Sequence, residues 1–172
     1  DTAILDKERR HKPNHAPPVD PLFDDPAWSA VPRQHRQALH AKARNQLGTV
    51  GSGNHYVDVF ADQSNTLWVG VHFGSRGLGH TIASAFLALG QGHAWGEHVP
   101  EREVLLDLRS PMGHDYWELM SLAGRYAYAG REWVARKVVM LLGANEVELV
   151  HNHHNFAWRE EHNGEELIVV RK

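Results

Sequence analysis

Residues 55–72 read HYVDVFADQSNTLWVGVH, and this stretch decides the fold. His55 to Phe60 is rich in aromatic and β-branched side chains and reads as a strand. Asp62-Gln-Ser-Asn65 supplies a turn, and Thr66 to His72 reads as a second strand, so a β-hairpin is expected. In a hairpin turning near residue 63, His55 and His72 lie at the same end, close to each other across the ladder. Imidazole is the commonest protein ligand for a first-row metal, and strand ends can aim several at one point.

Working outward, a Gly48–Gly53 loop precedes the hairpin, and Arg33–Gln46 before it has helix formers and no breaker. That helix is expected to carry a basic face of Arg33, Arg36, Lys42 and Arg44. Residues 1–32 hold six of the eight prolines, so they read as an extended, turn-rich segment anchored by Leu22, Phe23 and Trp28. Downstream, Gly74-Ser-Arg-Gly77 leads into a helix over Leu78–Leu89, closed by Gly90 at the C′ position. Free N–H groups at that helix start, with Arg76 beside them, make an anion site. A strand is expected over Glu103–Leu108.

Ser110-Pro111 opens a long helix whose apolar residues recur at three and four positions to about Leu142, with Gly143 ending it. It reads as core scaffold. Two last strands, Val147–Val150 and Glu166–Val170, flank the hairpin turn signal Asn163-Gly164. The expected class is α+β: a mixed sheet with β-hairpins packed against two or three helices. At 172 residues this is a single domain, with 33–172 as a metal- and phosphate-binding core.

A third histidine stands in His151-Asn-His-His-Asn155. In an extended chain His153 and His154 point to opposite sides, so at most one of them faces a common site with His55 and His72. Glycine loops beside two of the three can bring backbone N–H groups close to phosphate. The combination points to metal-assisted chemistry on a phosphate ester. His11, His15, His35, His40, His93, His98 and His162 sit in polar surroundings and read as solvated side chains. A net charge of −3 rules out a generally basic nucleic-acid coat, so any such contact is a local patch. With no cysteine, the chain has neither disulfides nor thiolate ligands. No apolar run of membrane-spanning length occurs. The Walker, Rossmann, zincin and serine-hydrolase signatures are all missing.

The segments Gln46-Leu-Gly-Thr-Val-Gly-Ser-Gly-Asn-His-Tyr-Val-Asp58, Val71-His-Phe-Gly-Ser-Arg-Gly-Leu-Gly-His80, His153-His-Asn-Phe156 and Val169-Val-Arg-Lys172 resemble the RtcB-type RNA ligases in order and rough spacing. The resemblance covers most of 45–172. It implies GTP- and Mn²⁺-dependent joining of RNA 3′-phosphate or 2′,3′-cyclic phosphate ends to 5′-hydroxyl ends, in RNA splicing or repair. A protein–GMP intermediate and a two-metal site belong to that chemistry. By the resemblance, His55, His72 and His154 are metal ligands, and Asn54, Asp58 and Asn155 contact the nucleotide. Ser75, Arg76 and Lys172 contact RNA phosphate, with Arg76 also catalytic. At Asp58 the family usually has Glu, one methylene longer.

The family's Asp-x-x-Cys segment and its guanylylated histidine, in His-Gly-Ala-Gly-Arg, do not occur here. The expectation is therefore an internal fragment of a longer ligase, inactive by itself. An activating protein such as archease and a cytoplasmic location are further implications. A non-ligating RNA-end binding module and a metal-dependent phosphoesterase on the same three histidines are the alternatives. Imidazole suits Zn²⁺ as well as Mn²⁺.

Overall fold

A computed structural model describes residues 19–171. Within that range the proline-rich start folds into two short 3-10 turns, Pro21–Asp24 and Pro26–Ala30. Each is preceded by an aspartate that accepts a backbone N–H two residues on, Asp20 from Leu22 and Asp25 from Ala27. Proline at the first position loses no helical bond there. The expected anchors Leu22, Phe23 and Trp28 are buried, and Trp28 Nε1 donates to the Leu22 carbonyl at 2.9 Å. Residues 1–18, with His11 and His15 among them, and Lys172 lie outside the described residues.

Helix α1 spans Arg33–Gln46, as expected, but its basic residues do not form one face. At about 100° per residue Arg33, Arg36 and Arg44 share a side while Lys42 falls opposite. Three of the four are used internally. Arg36 folds back onto the Ser29 and Val31 carbonyls, Arg44 lies over the Phe23 ring, and Lys42 donates to Thr81 Oγ1.

Strands β1 (Tyr56–Ala61) and β2 (Leu67–His72) pair antiparallel with Tyr56 opposite His72. Asp62 organises the turn: one oxygen accepts from the Ser64 and Thr66 amides, the other from Trp68 Nε1. Helix α2 spans Arg76–Gly90 and so contains Gly90. Its left-handed C′ residue is Gly92, at φ +82°. The Gly92 amide donates to Leu89 and the His93 amide to Ala88, the paired bonds of a Schellman ending.

Helix α3, Pro111–Leu141, is capped by Ser110 Oγ, which accepts from the Gly113 amide, and Gly143 follows its end as expected. At 1.5 Å per residue it is roughly 46 Å long. The last hairpin is β3 (Phe156–His162) with β4 (Glu165–Arg171). It turns on Asn163-Gly164, both at positive φ, as a two-residue hairpin loop of this kind requires. The strand before that turn is therefore 156–162, not Val147–Val150. Neither 147–150 nor 103–108 is a strand among the described residues, and Leu105 and Val147 are 99% and 88% exposed. A strand exists only where a ladder partner satisfies its backbone, and here both segments lack one. The α+β class holds, with the strands in two separate antiparallel hairpins instead of one mixed sheet.

The main core joins the three helices and the 3-10 turns through Leu39, Leu47, Leu78, Ile82, Leu119 and Leu122. Tyr126 Oη donates to the Ala43 carbonyl within it, and burial raises the phenol's pKa. A smaller cluster of Val50, Phe73 and Val134, with Val57, Val71 and Trp133 against it, ties the first hairpin to α3. No helix among the described residues is long and apolar enough to cross a membrane.

Gln46, only 2% exposed, accepts the Gly77 amide on its Oε1 at 2.9 Å, joining the end of α1 to the start of α2. Gln46→Leu leaves that amide without its acceptor. The expected loss is about 1–3 kcal/mol, measured by urea unfolding.

Candidate functional site

His72 ends β2, and its ring stacks on its cross-strand neighbour Tyr56 at 5.4 Å. His55 immediately precedes β1. The His55 and His72 ring centroids are 6.3 Å apart, and those of His72 and His154 are 5.1 Å apart. The hairpin thus brings its two histidines together as its length predicts, and His154 joins from the loop before β3.

Packing explains why His154 and not His153 faces the hairpin. His151 and His153 place their rings edge-on to Tyr128 of α3, at 3.9 and 4.1 Å. Phe156 stacks on His153 at 4.6 Å. With its neighbours held against α3, His154 is left exposed on the opposite side.

A metal–nitrogen bond of about 2.1 Å puts a ring centroid roughly 3.2 Å from the ion. Two rings on one ion are then at most roughly 6.4 Å apart, when they stand on opposite sides of it. The His55–His72 and His72–His154 pairs meet that limit. The donor chemistry fits a divalent cation as well. Burial, then the Arg76 charge, holds the His55 pKa below its ordinary value, favouring the neutral ring that metals take. Even so, no group of three His, Asp or Glu among the described residues is disposed to hold an ion as it stands. The rings are neighbours without a shared coordination point.

Arg76 opens α2 with φ +54°. A non-glycine residue in the left-handed region costs about 1–3 kcal/mol and persists where its surroundings hold it. Its guanidinium fills the space a Cβ on Gly51 would need, and Nη1 lies 3.4 Å from His55 Nδ1. The helix-start anion site is narrower than the sequence suggests, because Gln46 already takes the Gly77 amide.

Ser75 and Asn155 line one cleft of about 220 Å³, together with Gly74, Gly79, Arg131 and His153. Asn54 and Asp58 do not line it. Asn54 is exposed in the glycine loop, and Asp58 is exposed on β1 opposite Gly70. Two residues from Tyr56, Asp58 shares its face of the hairpin.

Several residues at this site carry no role in the sequence reading. Arg131 of α3 donates through Nε to His151 Nε2 and through Nη1 to the Phe73 carbonyl, both at 2.8 Å. Burial, then Arg131, lowers the pKa of His151. Burial, then Arg131, His151 and His154, brings His153 down to about 4. The available signal was a lone arginine on a face of α3 otherwise made of Gly124, Ala127 and Tyr128, at helical spacings of three, four and seven.

Residues 20–172 match the family model described as tRNA-splicing ligase RtcB. The chain belongs to the RtcB family. It is 29% identical to the RNA-splicing ligase RtcB of Escherichia coli K12 over 154 residues, covering 81% of this chain and 38% of that protein. It is 30% identical to the tRNA-splicing ligase RtcB of Pyrobaculum aerophilum, over 85% of this chain and 36% of the relative. For that of Nanoarchaeum equitans the identity is 33%, over 76% and 33%. The chain thus spans between a third and two fifths of the length of these RtcB ligases. No solved structure matches it.

In this RtcB chain the aromatic residues just after the site histidines sit on glycines of α3. A Cβ on Gly130 would lie 3.2 Å from Phe73, and one on Gly124 would lie 2.7 Å from Phe156. Gly124→Val should therefore push Phe156 off the helix. Overpacking of this kind costs about 1–3 kcal/mol, seen as a fall of several degrees in Tm by scanning fluorimetry.

Proposed function

We propose that this chain carries the histidine cluster and part of the phosphate-binding surface of an RNA ligase. That enzyme joins 3′-phosphate or 2′,3′-cyclic phosphate ends to 5′-hydroxyl ends, with GTP and Mn²⁺. The observation carrying this reading is the proximity of the His55 and His72 rings and of the His72 and His154 rings, 6.3 and 5.1 Å between centroids. The relatives' names, RNA-splicing and tRNA-splicing ligase, support it.

His55, His72 and His154 would hold the cation through neutral ring nitrogens. Mn²⁺ there supplies Lewis-acid neutralisation of phosphate charge. Arg76 is the donor that compensates negative charge on the transferring phosphate, with Ser75 and Lys172 holding RNA phosphate oxygens. Asn54, Asp58 and Asn155 orient the nucleotide. Asp58 reaches it from β1 with one methylene less than the family's Glu, so it requires a closer approach. The RNA docks through its phosphates on these local groups, since the net charge of −3 provides no global attraction. The histidine that accepts GMP belongs to the His-Gly-Ala-Gly-Arg segment, which this chain does not contain. An activating protein such as archease and a cytoplasmic setting complete the reading.

The test is incubation of the full-length protein carrying this chain with labelled GTP, Mn²⁺ and RNA bearing the two kinds of end. A covalent protein–GMP adduct and joined RNA are expected, with at least a hundredfold loss on His72→Ala. The 172-residue chain alone is expected to form no adduct. RNA binding without an adduct would select a non-ligating end-binding module instead, and release of phosphate would select a phosphoesterase.

A further inference from the structure

Arg131 occupies a position that stability alone does not explain. Burial of its guanidinium lowers its pKa, and Nη2 is enclosed with no hydrogen-bond partner among the described residues. Burying a cation is costly unless it is paired and fully bonded. The carboxylate nearest in sequence, Glu132, is 3.3 Å from His151 and 3.1 Å from Arg136.

The two bonds Arg131 does make explain its presence. One goes to the carbonyl of Phe73, the residue directly after His72, and the other to His151, three residues before His154. We propose that Arg131 is the positioning residue of the histidine cluster: its guanidinium clamps the His72 end of β2 and the His154 loop to one point on α3. This inference rests on the metal-site reading above.

Guanidinium geometry is what makes the clamp possible, because its donors point in fixed, divergent directions within one plane. Lysine offers a single nitrogen on a flexible stem and cannot reproduce both bonds at once. Tyr128 supports the fork from below, its ring 5.1 Å from the guanidinium carbon. The bond from Nε requires His151 Nε2 to be the acceptor. The ring proton then resides on Nδ1 and is donated to Glu132 Oε1 at 3.3 Å. A single orientation of the His151 ring thus follows from Arg131 and Glu132 together, and the chain from 151 to 154 takes its direction from that ring.

The experiment measures binding of Mn²⁺ alone to the full-length protein, by loss of the free-ion EPR signal, alongside a thermal melt. Arg131→Lys, His151→Gln and His72→Ala are compared with Arg125→Ala. Arg125 sits on the same helix but pairs with Asp25, away from the site. Removing an outer-shell partner of a metal ligand typically weakens affinity 10–100-fold. Arg131 acts one bond farther out, through the Phe73 carbonyl and His151. That puts its effect at the lower end of the range, about tenfold. A loss of that size is expected for Arg131→Lys, a smaller loss for His151→Gln, and none for Arg125→Ala, with melting temperatures close to the parent's. Should Arg131→Lys fail to fold, His151→Gln decides. Parent-like affinity in both clamp variants, with His72→Ala still abolishing binding, overturns the clamp and leaves the metal site standing. Absence of His72-dependent Mn²⁺ binding in the parent overturns both.

Discussion

Between Gly124 and Arg131, helix α3 must receive two loops that are far apart in sequence, and the histidine arrangement depends on how closely it does so. Gly124, Ala127 and Gly130 present almost no side chain, so aromatic rings come down onto the helix surface. Phe73 settles at Gly130 and Phe156 at Gly124. Close packing of this kind gains many small dispersion contacts and permits little lateral freedom. The helix itself is held from the other side by Leu119, Leu122 and the bond from Tyr126 to Ala43. A site built on it therefore inherits the rigidity of the core.

Electrostatics at the site run against the molecule's overall charge. Two guanidiniums, Arg76 and Arg131, border the imidazoles in a chain whose net charge is −3. Their charge and the partial burial of the rings act in the same direction, disfavouring imidazolium at His55, His151 and His153. The same cationic surroundings suit phosphate, and the proposed chemistry needs both neutral ligands and a place for negative charge.

Much of this was legible in the chain itself. The first hairpin follows from strand-forming runs around an Asx turn, and its length alone puts His55 beside His72. Helices α2 and α3 follow from periodicity, α1 from a run of helix formers without a breaker, and the α3 ends at Ser110 and Gly143 from local hydrogen-bonding. The runs at 103–108 and 147–150 have strand composition but no ladder partner among the described residues, and no local rule supplies one. The strand at 156–162 was hidden because Arg159, Glu160 and Glu161 break its alternation. Arg131 and Gln46 looked like ordinary helical side chains. Their partners lie 58 and 31 positions away, respectively, at Phe73 and Gly77, and no short-range pattern encodes such a meeting.

The seats for Phe73 and Phe156 are six residues apart on one helix, about 9 Å along its axis. Both loops ride on the same short length of rod. Bending of α3 farther along carries the two passengers together and leaves their spacing nearly unchanged. The design resembles a differential measurement in which shared disturbance cancels, and only a distortion within those two turns of helix registers at the histidines.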